Sequence, residues 1–105
     1  MSTLHCKKLS GKTNDAIALL GDSWTLAIIG SLAKEEQRFC ELQRSLDGLN
    51  PVTLTQRLKK LEKEKIVSRI EETVDKISVV YALTPKGKAI VPVIEQLSKY
   101  ANAFL

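Results

Sequence analysis

The sequence predicts a mainly helical domain with one small β-hairpin, an α+β class, from three observations. Apolar residues recur at helical spacing on either side of the short break Asp47-Gly48-Leu49-Asn50. Two β-branched segments, Ile66 to Ile70 and Ile77 to Leu83, flank the polar stretch Glu71 to Lys76. Asn50-Pro51 and Thr84-Pro85 each place a capping side chain before a proline, a combination that starts helices.

The elements follow in order. A first helix is expected over Asp15 to Leu20, where Ala16-Ile17-Ala18-Leu19-Leu20 is closed by Gly21. A second starts with Asp22 or Ser23 as N-cap and runs from Trp24 to Ala33. It is apolar on nearly every side, which puts it in the middle of the core. Lys34-Glu35-Glu36-Gln37 reads as an exposed turn. Phe39, Leu42 and Leu46 mark a short third helix, ended where Gly48 is free to adopt positive φ. The fourth helix, Pro51 to Lys65, buries Leu54, Leu58 and Leu61. The two β segments pair as an antiparallel hairpin, and a last helix runs from Pro85 towards Leu105, kinked or divided by Pro92.

Two short helices joined by a tight glycine-containing turn form a helix-turn-helix, and a hairpin directly after them makes it winged. Residues 1–105 are thus expected to form one domain, with an N-terminal arm at 1–12 and a dimerisation helix at 85–105.

Composition narrows the function. Hydrophobic residues at 44% and charged residues at 27% suit a globular chain and not a disordered one. No apolar run is long enough for a bilayer, and residues 1–12 lack the apolar region of a signal peptide, so the cytoplasm is the expected compartment. Cys6 and Cys40 are too few for a disulfide scaffold and too isolated for zinc. With His5 the one histidine and no Ser/His/Asp or Cys/His arrangement, no catalytic residue, metal or cofactor is expected.

The net charge of +4 is concentrated. Between Pro51 and Lys65 stand Arg57, Lys59, Lys60, Lys63 and Lys65 against Glu62 and Glu64, and residues 1–12 add Lys7, Lys8 and Lys12 with no acid. The remainder of the chain is slightly acidic. With Leu54, Leu58 and Leu61 inward, a step of about 100° per residue turns Val52, Gln56, Lys59, Lys60 and Lys63 outward, with Thr53 and Arg57 on the flank. Short or bidentate side chains near a helix N-terminus read base edges, while cations meet phosphates. Arg57 suits guanine O6 and N7, Gln56 suits adenine N6 and N7, and Val52 and the Thr53 methyl suit thymine methyls. The same stretch also fits a solvated amphipathic helix. The turn before it and the hairpin after it favour the nucleic-acid reading, and double-stranded DNA is the expected partner.

These residues resemble the HxlR-type transcriptional regulators, a winged-helix family related in fold to the MarR regulators. The resemblance covers Asp15 to Leu97 and rests on Leu20-Gly21-Asp22-Ser23-Trp24-Thr25-Leu26, Arg38-Phe39-Cys40-Glu41-Leu42, Leu54-Thr55-Gln56-Arg57-Leu58, Tyr81-Ala82-Leu83-Thr84-Pro85-Lys86-Gly87 and Val91-Pro92-Val93-Ile94. It implies a homodimeric, usually bacterial DNA-binding regulator without enzymatic activity. It places the DNA-reading helix, capped by Asn50, at Pro51 to Leu61 and the wing at Glu71 to Ser78, and makes Arg38 a candidate phosphate contact.

Val52 stands where the family commonly has Lys or Arg, and the wing has Asp75-Lys76-Ile77-Ser78 where prolines and a basic residue are common. Lys76 is its one cation beside Glu71, Glu72 and Asp75, so a weak contribution from the wing is expected. Cys6 resembles the family's N-terminal thiol sensor of oxidants or electrophiles, flanked by His5, Lys7 and Lys8, which favour a thiolate. It lies further from the Gly21-to-Trp24 motif than is usual, and an ordinary terminal thiol is the other reading. Cys40 occupies a common serine position at the N-cap of the third helix and reads as a small, partly buried packing residue.

On the last helix Ile90, Ile94, Leu97, Ala101 and Phe104 form a stripe. Packing on its own domain is one reading. A dimer interface with the first helix and N-terminal arm is the other, and predicts a pseudo-palindromic operator. An oxidant acting at Cys6, or a small molecule near that interface, would change the spacing of the two reading helices. Two rivals from other classes remain: a winged helix serving as a protein-interaction module, suggested by the acidic wing, and a thiol oxidoreductase working through Cys6, which lacks a resolving cysteine at C-x-x-C spacing.

Overall fold

The computed structural model describes residues 10–73 and 77–105. Cys6 with its neighbours His5, Lys7 and Lys8, and Lys76 with Asp75, lie outside the described residues.

Helix α1 (Gly11–Leu20) begins a turn earlier than expected. Ser10 is its N-cap, with Oγ accepting the Thr13 N–H at 3.2 Å, so the polar start joins the helix through its cap without an apolar repeat. Helix α2 (Ser23–Leu32) follows at a bend of 81° and buries Thr25, Ile28, Ile29 and Leu32. The expected exposed turn is corrected at its end: Gln37 and Arg38 form a short strand, β1 (Gln37–Arg38). Gln37 Nε2 donates to the Ser31 carbonyl at 2.8 Å and to Ser31 Oγ at 2.9 Å, holding the strand against the end of α2.

Helix α3 (Phe39–Ser45) starts where the Arg38 N–H donates to Glu41 Oε1 at 2.8 Å. Arg38, not Cys40, is therefore the N-cap residue. Cys40 is exposed, contrary to the packing role expected of it, because Phe39 and Leu42, three residues apart, share the inward side of this short helix. Gly48 takes φ +89° in the turn, and Leu49 is buried beneath it.

Helix α4 (Pro51–Lys63) is capped by Asn50, whose Oδ1 accepts the Val52 N–H at 2.7 Å. It stops two residues before the expected end, since Lys65 adopts φ 65° and the Ile66 N–H closes back onto the Leu61 carbonyl at 2.9 Å. Strands β2 (Val67–Thr73) and β3 (Ile77–Leu83) pair antiparallel from Val67↔Leu83 to Thr73↔Ile77. Glu71, Glu72 and Thr73 thus belong to a strand and not to the connection. Beyond the core neither sheet face needs apolar residues, so polarity does not end the strand there. The sheet order is β1-β3-β2.

The last helix is divided, one of the two outcomes expected. Helix α5 (Pro85–Lys88) ends at Ala89, and α6 (Val91–Phe104) restarts with Pro92 in its first turn. Gly87 is required here: a Cβ at this position would lie 2.3 Å from the Ile66 carbonyl oxygen. Thr84 Oγ1 donates to the Lys65 carbonyl at 2.6 Å and accepts the Gly87 N–H at 3.1 Å, locking α5 to the end of α4.

The core joins Ile28, Ile29 and Leu32 of α2 to Leu42, Leu46, Leu54, Leu58, Leu61, Ile66, Val67 and Leu83. Helices α1 and α6 both pack on α2 or its neighbourhood, yet neither contains a buried residue. No single helix among the described residues is long and apolar enough to cross a membrane.

Candidate nucleic-acid interface

Helix α4 carries the site because its three leucines are wholly committed inward, which fixes the rotation of everything else on it. Val52 is 64% exposed, and Gln56, Lys59, Lys60 and Lys63 are exposed as expected. None of the three lysines forms an ion pair among the described residues. The outer face divides into two sides. Val52, Gln56 and Lys59 line one shallow groove of about 350 Å³ with Pro51 and Thr55. Lys60 turns the other way, into an open groove of about 430 Å³ between α4 and α1, beside Asp15, Leu19 and Glu64.

Thr53 and Arg57 are half-buried, and Arg57 faces the start of α2. Arg57 Nε donates to Asp22 Oδ2, and the same oxygen accepts the Thr25 hydroxyl at 2.9 Å. The Arg57 hydrogen bond holds the Asp22 carboxyl below its ordinary pKa, with partial burial opposing and Thr25 assisting. Arg57 therefore ties α4 to the N-terminus of α2. The contact uses Nε, which leaves the terminal guanidinium nitrogens outside this ion pair.

Asn50 spends its side-chain oxygen on the helix cap. Arg38 is exposed just before α3, with no side-chain hydrogen bond among the described residues. Two residues were missed from sequence. Thr55 stands three residues after Val52 and four before Lys59 and shares their groove, its hydroxyl donating to the Pro51 carbonyl at 2.9 Å. Arg69 of β2 lies opposite Tyr81 of β3, beside α4. Strand parity was the available clue, since Arg69 is two residues from buried Val67 and so shares its face.

The stripe proposed on the last helix is split by the fold. Ile90 and Ile94 pack on the chain's own core, and Ala101 is half-buried. Leu97 and Phe104 remain 52% and 73% exposed, and Val93 and Tyr100 are exposed beside them. The Tyr100 and Phe104 rings pack with centroids 5.1 Å apart. No group of three or more His, Cys, Asp or Glu able to hold a metal occurs among the described residues.

The model of the HxlR-like helix-turn-helix family matches residues 19–105. The chain is 38% identical over 92 residues to the uncharacterized HTH-type transcriptional regulator YvaP of Bacillus subtilis (strain 168), covering 86% of this chain and 83% of that protein. It is 33% identical over 93 residues to the HTH-type transcriptional regulator YodB of the same organism, covering 89% and 83%. The reduced form of YodB superposes with a TM-score of 0.84 at 32% identity over 91% of this chain and 94% of that one. YodB has also been solved bound to quinone, with a TM-score of 0.79 at 33% identity over 91% of this chain and 100% of that one. A MarR-family regulator from Porphyromonas gingivalis W83 gives a TM-score of 0.85 at 25% identity over 94% and 100%.

Proposed function

Because the chain belongs to the HxlR-like helix-turn-helix family of transcriptional regulators, we propose that it acts as a homodimer on a pseudo-palindromic operator in double-stranded DNA. The carrying observation is the outer side of α4, where Val52, Gln56 and Lys59 share one solvent-open groove and Lys63 continues the line. Gln56 accepts and donates to an adenine edge, Val52 packs on a thymine methyl, and Lys59 and Lys63 meet phosphates. Thr53, Arg57, Lys60 and the cap at Asn50 flank this face on the same helix, and Arg38 and Lys76 are further candidate phosphate contacts.

Dimerisation is supported by the apolar residues that the terminal helices leave exposed, Ile17 on α1 and Val93, Leu97, Tyr100 and Phe104 on α6. A second copy would cover them and set two α4 helices one DNA turn apart. A response to oxidants or quinone-like electrophiles through Cys6 is supported by the likeness to YodB, which has been solved reduced and quinone-bound.

The test is titration of the full chain against duplexes selected from a random-sequence pool and against scrambled duplexes, at several salt concentrations. The proposed role requires preference for the selected duplex and a log–log salt slope of about −0.9 per phosphate neutralised. Weak binding that ignores both sequence and salt would overturn it in favour of a protein-interaction module.

A further inference from the structure

A second cleft, of about 390 Å³, lies between α4 and the sheet, lined by Thr55, Leu58, Lys59, Glu62, Arg69 and Tyr81. Thr55 and Lys59 also line the shallow groove with Val52 and Gln56, so the two hollows share a wall. A nucleic-acid strand lying along the α4 face would pass Lys59 and meet this cleft next.

Arg69 is the cation of the sheet side. It faces Tyr81 across the β2–β3 ladder, in the row that continues through Tyr81 to Gln37 of β1. Its Nη1 donates to Glu71 Oε1 at 3.1 Å, and its side chain is still 39% exposed. Glu71 first, then the Tyr81 hydroxyl, raise the guanidinium's pKa above its ordinary value. A guanidinium has five N–H donors arranged for bidentate bonds to phosphate, and these two neighbours use only part of them. Among the described residues of β2 and β3, Arg69 is also the one basic side chain.

We propose that Arg69 and Lys59 together seat a DNA backbone phosphate in this cleft, with Glu71 as the resident counter-charge that the phosphate displaces from Arg69. This rests on the DNA-binding reading above and adds the second element by which the domain grips the duplex. Lys59 approaches from the helix and Arg69 from the sheet, so one phosphate bridges two elements of the fold and sets the tilt of α4 in the groove. Without DNA, Glu71 on Arg69 and Glu62 on the wall of the cleft together balance the two cations. The sheet then contributes through Arg69 at its base.

The full chain is titrated with a duplex selected by the wild type and with a scrambled duplex, across a salt series. Arg69→Ala should weaken binding to both on the order of tenfold and make the log–log salt slope shallower by about 0.9. Glu71→Gln should tighten binding to both duplexes, because it removes the competitor for the guanidinium while leaving the guanidinium in place. A merely structural ion pair predicts the opposite, neutral or weaker binding in Glu71→Gln. Thermal unfolding checks that each variant is folded, and if Arg69→Ala is not, Arg69→Gln and Glu71→Gln carry the test. Folded Arg69 variants with wild-type affinity and slope, or unchanged or weaker binding by Glu71→Gln, would overturn the proposal alone. A wild type with no salt-dependent binding to any duplex would instead overturn the DNA-binding reading on which it rests.

Discussion

Arg57 and Asp22 stand 35 residues apart in sequence and meet where the start of α2 touches the shoulder of α4. Both side chains remain about one-third exposed, so the pair is worth roughly 0.2–1 kcal/mol of stability and its larger effect is positional. Arg57→Ala should cost about 1–3 kcal/mol of specific DNA binding and relax one base position, measured by titration against single-base variants of the selected duplex. The Asp22 carboxyl has its folded pKa depressed below 3.8, mainly by Arg57. A depressed carboxylate contributes stability that is complete above its unfolded value and lost as pH falls through the folded one. The Tm difference between wild type and Asp22→Asn should therefore be constant through neutral pH and shrink only below the ordinary carboxylate range. A difference that persisted unchanged in strong acid would show that the charge on Asp22 is irrelevant.

At the scale of the element, α4 works as a rigid bar held at both ends. Its start is set by Asn50 capping Val52, and its end by Lys65 in the left-handed region with the Ile66 N–H on Leu61. Asn50→Ala should cost about 1 kcal/mol of folding stability by chemical denaturation, because the first-turn amides lose their acceptor. The two lysine neighbours should separate. Lys59 lies in both hollows on the reading side, whereas Lys60 sits beside Asp15 and Glu64 in the groove towards α1. Lys59→Ala should weaken binding to selected and scrambled duplexes alike and reduce the salt slope by about one, with Lys60→Ala smaller in both respects.

The described residues extend over 59 × 29 × 25 Å, a long shape for a chain of this length. Its terminal helices bury no residue within the chain and leave Val93, Leu97, Tyr100 and Phe104 bare. A second copy packed along α1 and α6 would remove that surface from water at roughly 25 cal/mol per Å². Phe104→Asp combined with Leu97→Asp should shift the protein to a monomer in sedimentation, with the fold retained, since neither side chain belongs to the chain's own core. Operator affinity should fall with it, because two linked reading helices bind far more tightly than one. A double variant that stayed dimeric would place the interface elsewhere.

Much of this molecule was legible in its sequence because periodicity and capping are local. The leucines at 54, 58 and 61 oriented α4, Asn50-Pro51 and Thr84-Pro85 marked two helix starts, and the β-branched runs marked the hairpin. The outward face of Val52, Gln56, Lys59 and Lys63 followed from the same rotation. Tertiary structure decided what depends on residues distant in the chain. A two-residue strand at Gln37 and Arg38 has no period of its own and exists because β3 offers it a ladder. Arg57 looks like any cation on an amphipathic helix until Asp22 is brought beside it, and Arg69 becomes a neighbour of Lys59 only when β2 folds against α4. Ile90 and Leu97 belong to one stripe in sequence, but the core reaches only the first of them. Local chemistry thus determined which elements form and which way they face, while long-range packing determined which charges are held by a partner and which remain open to one.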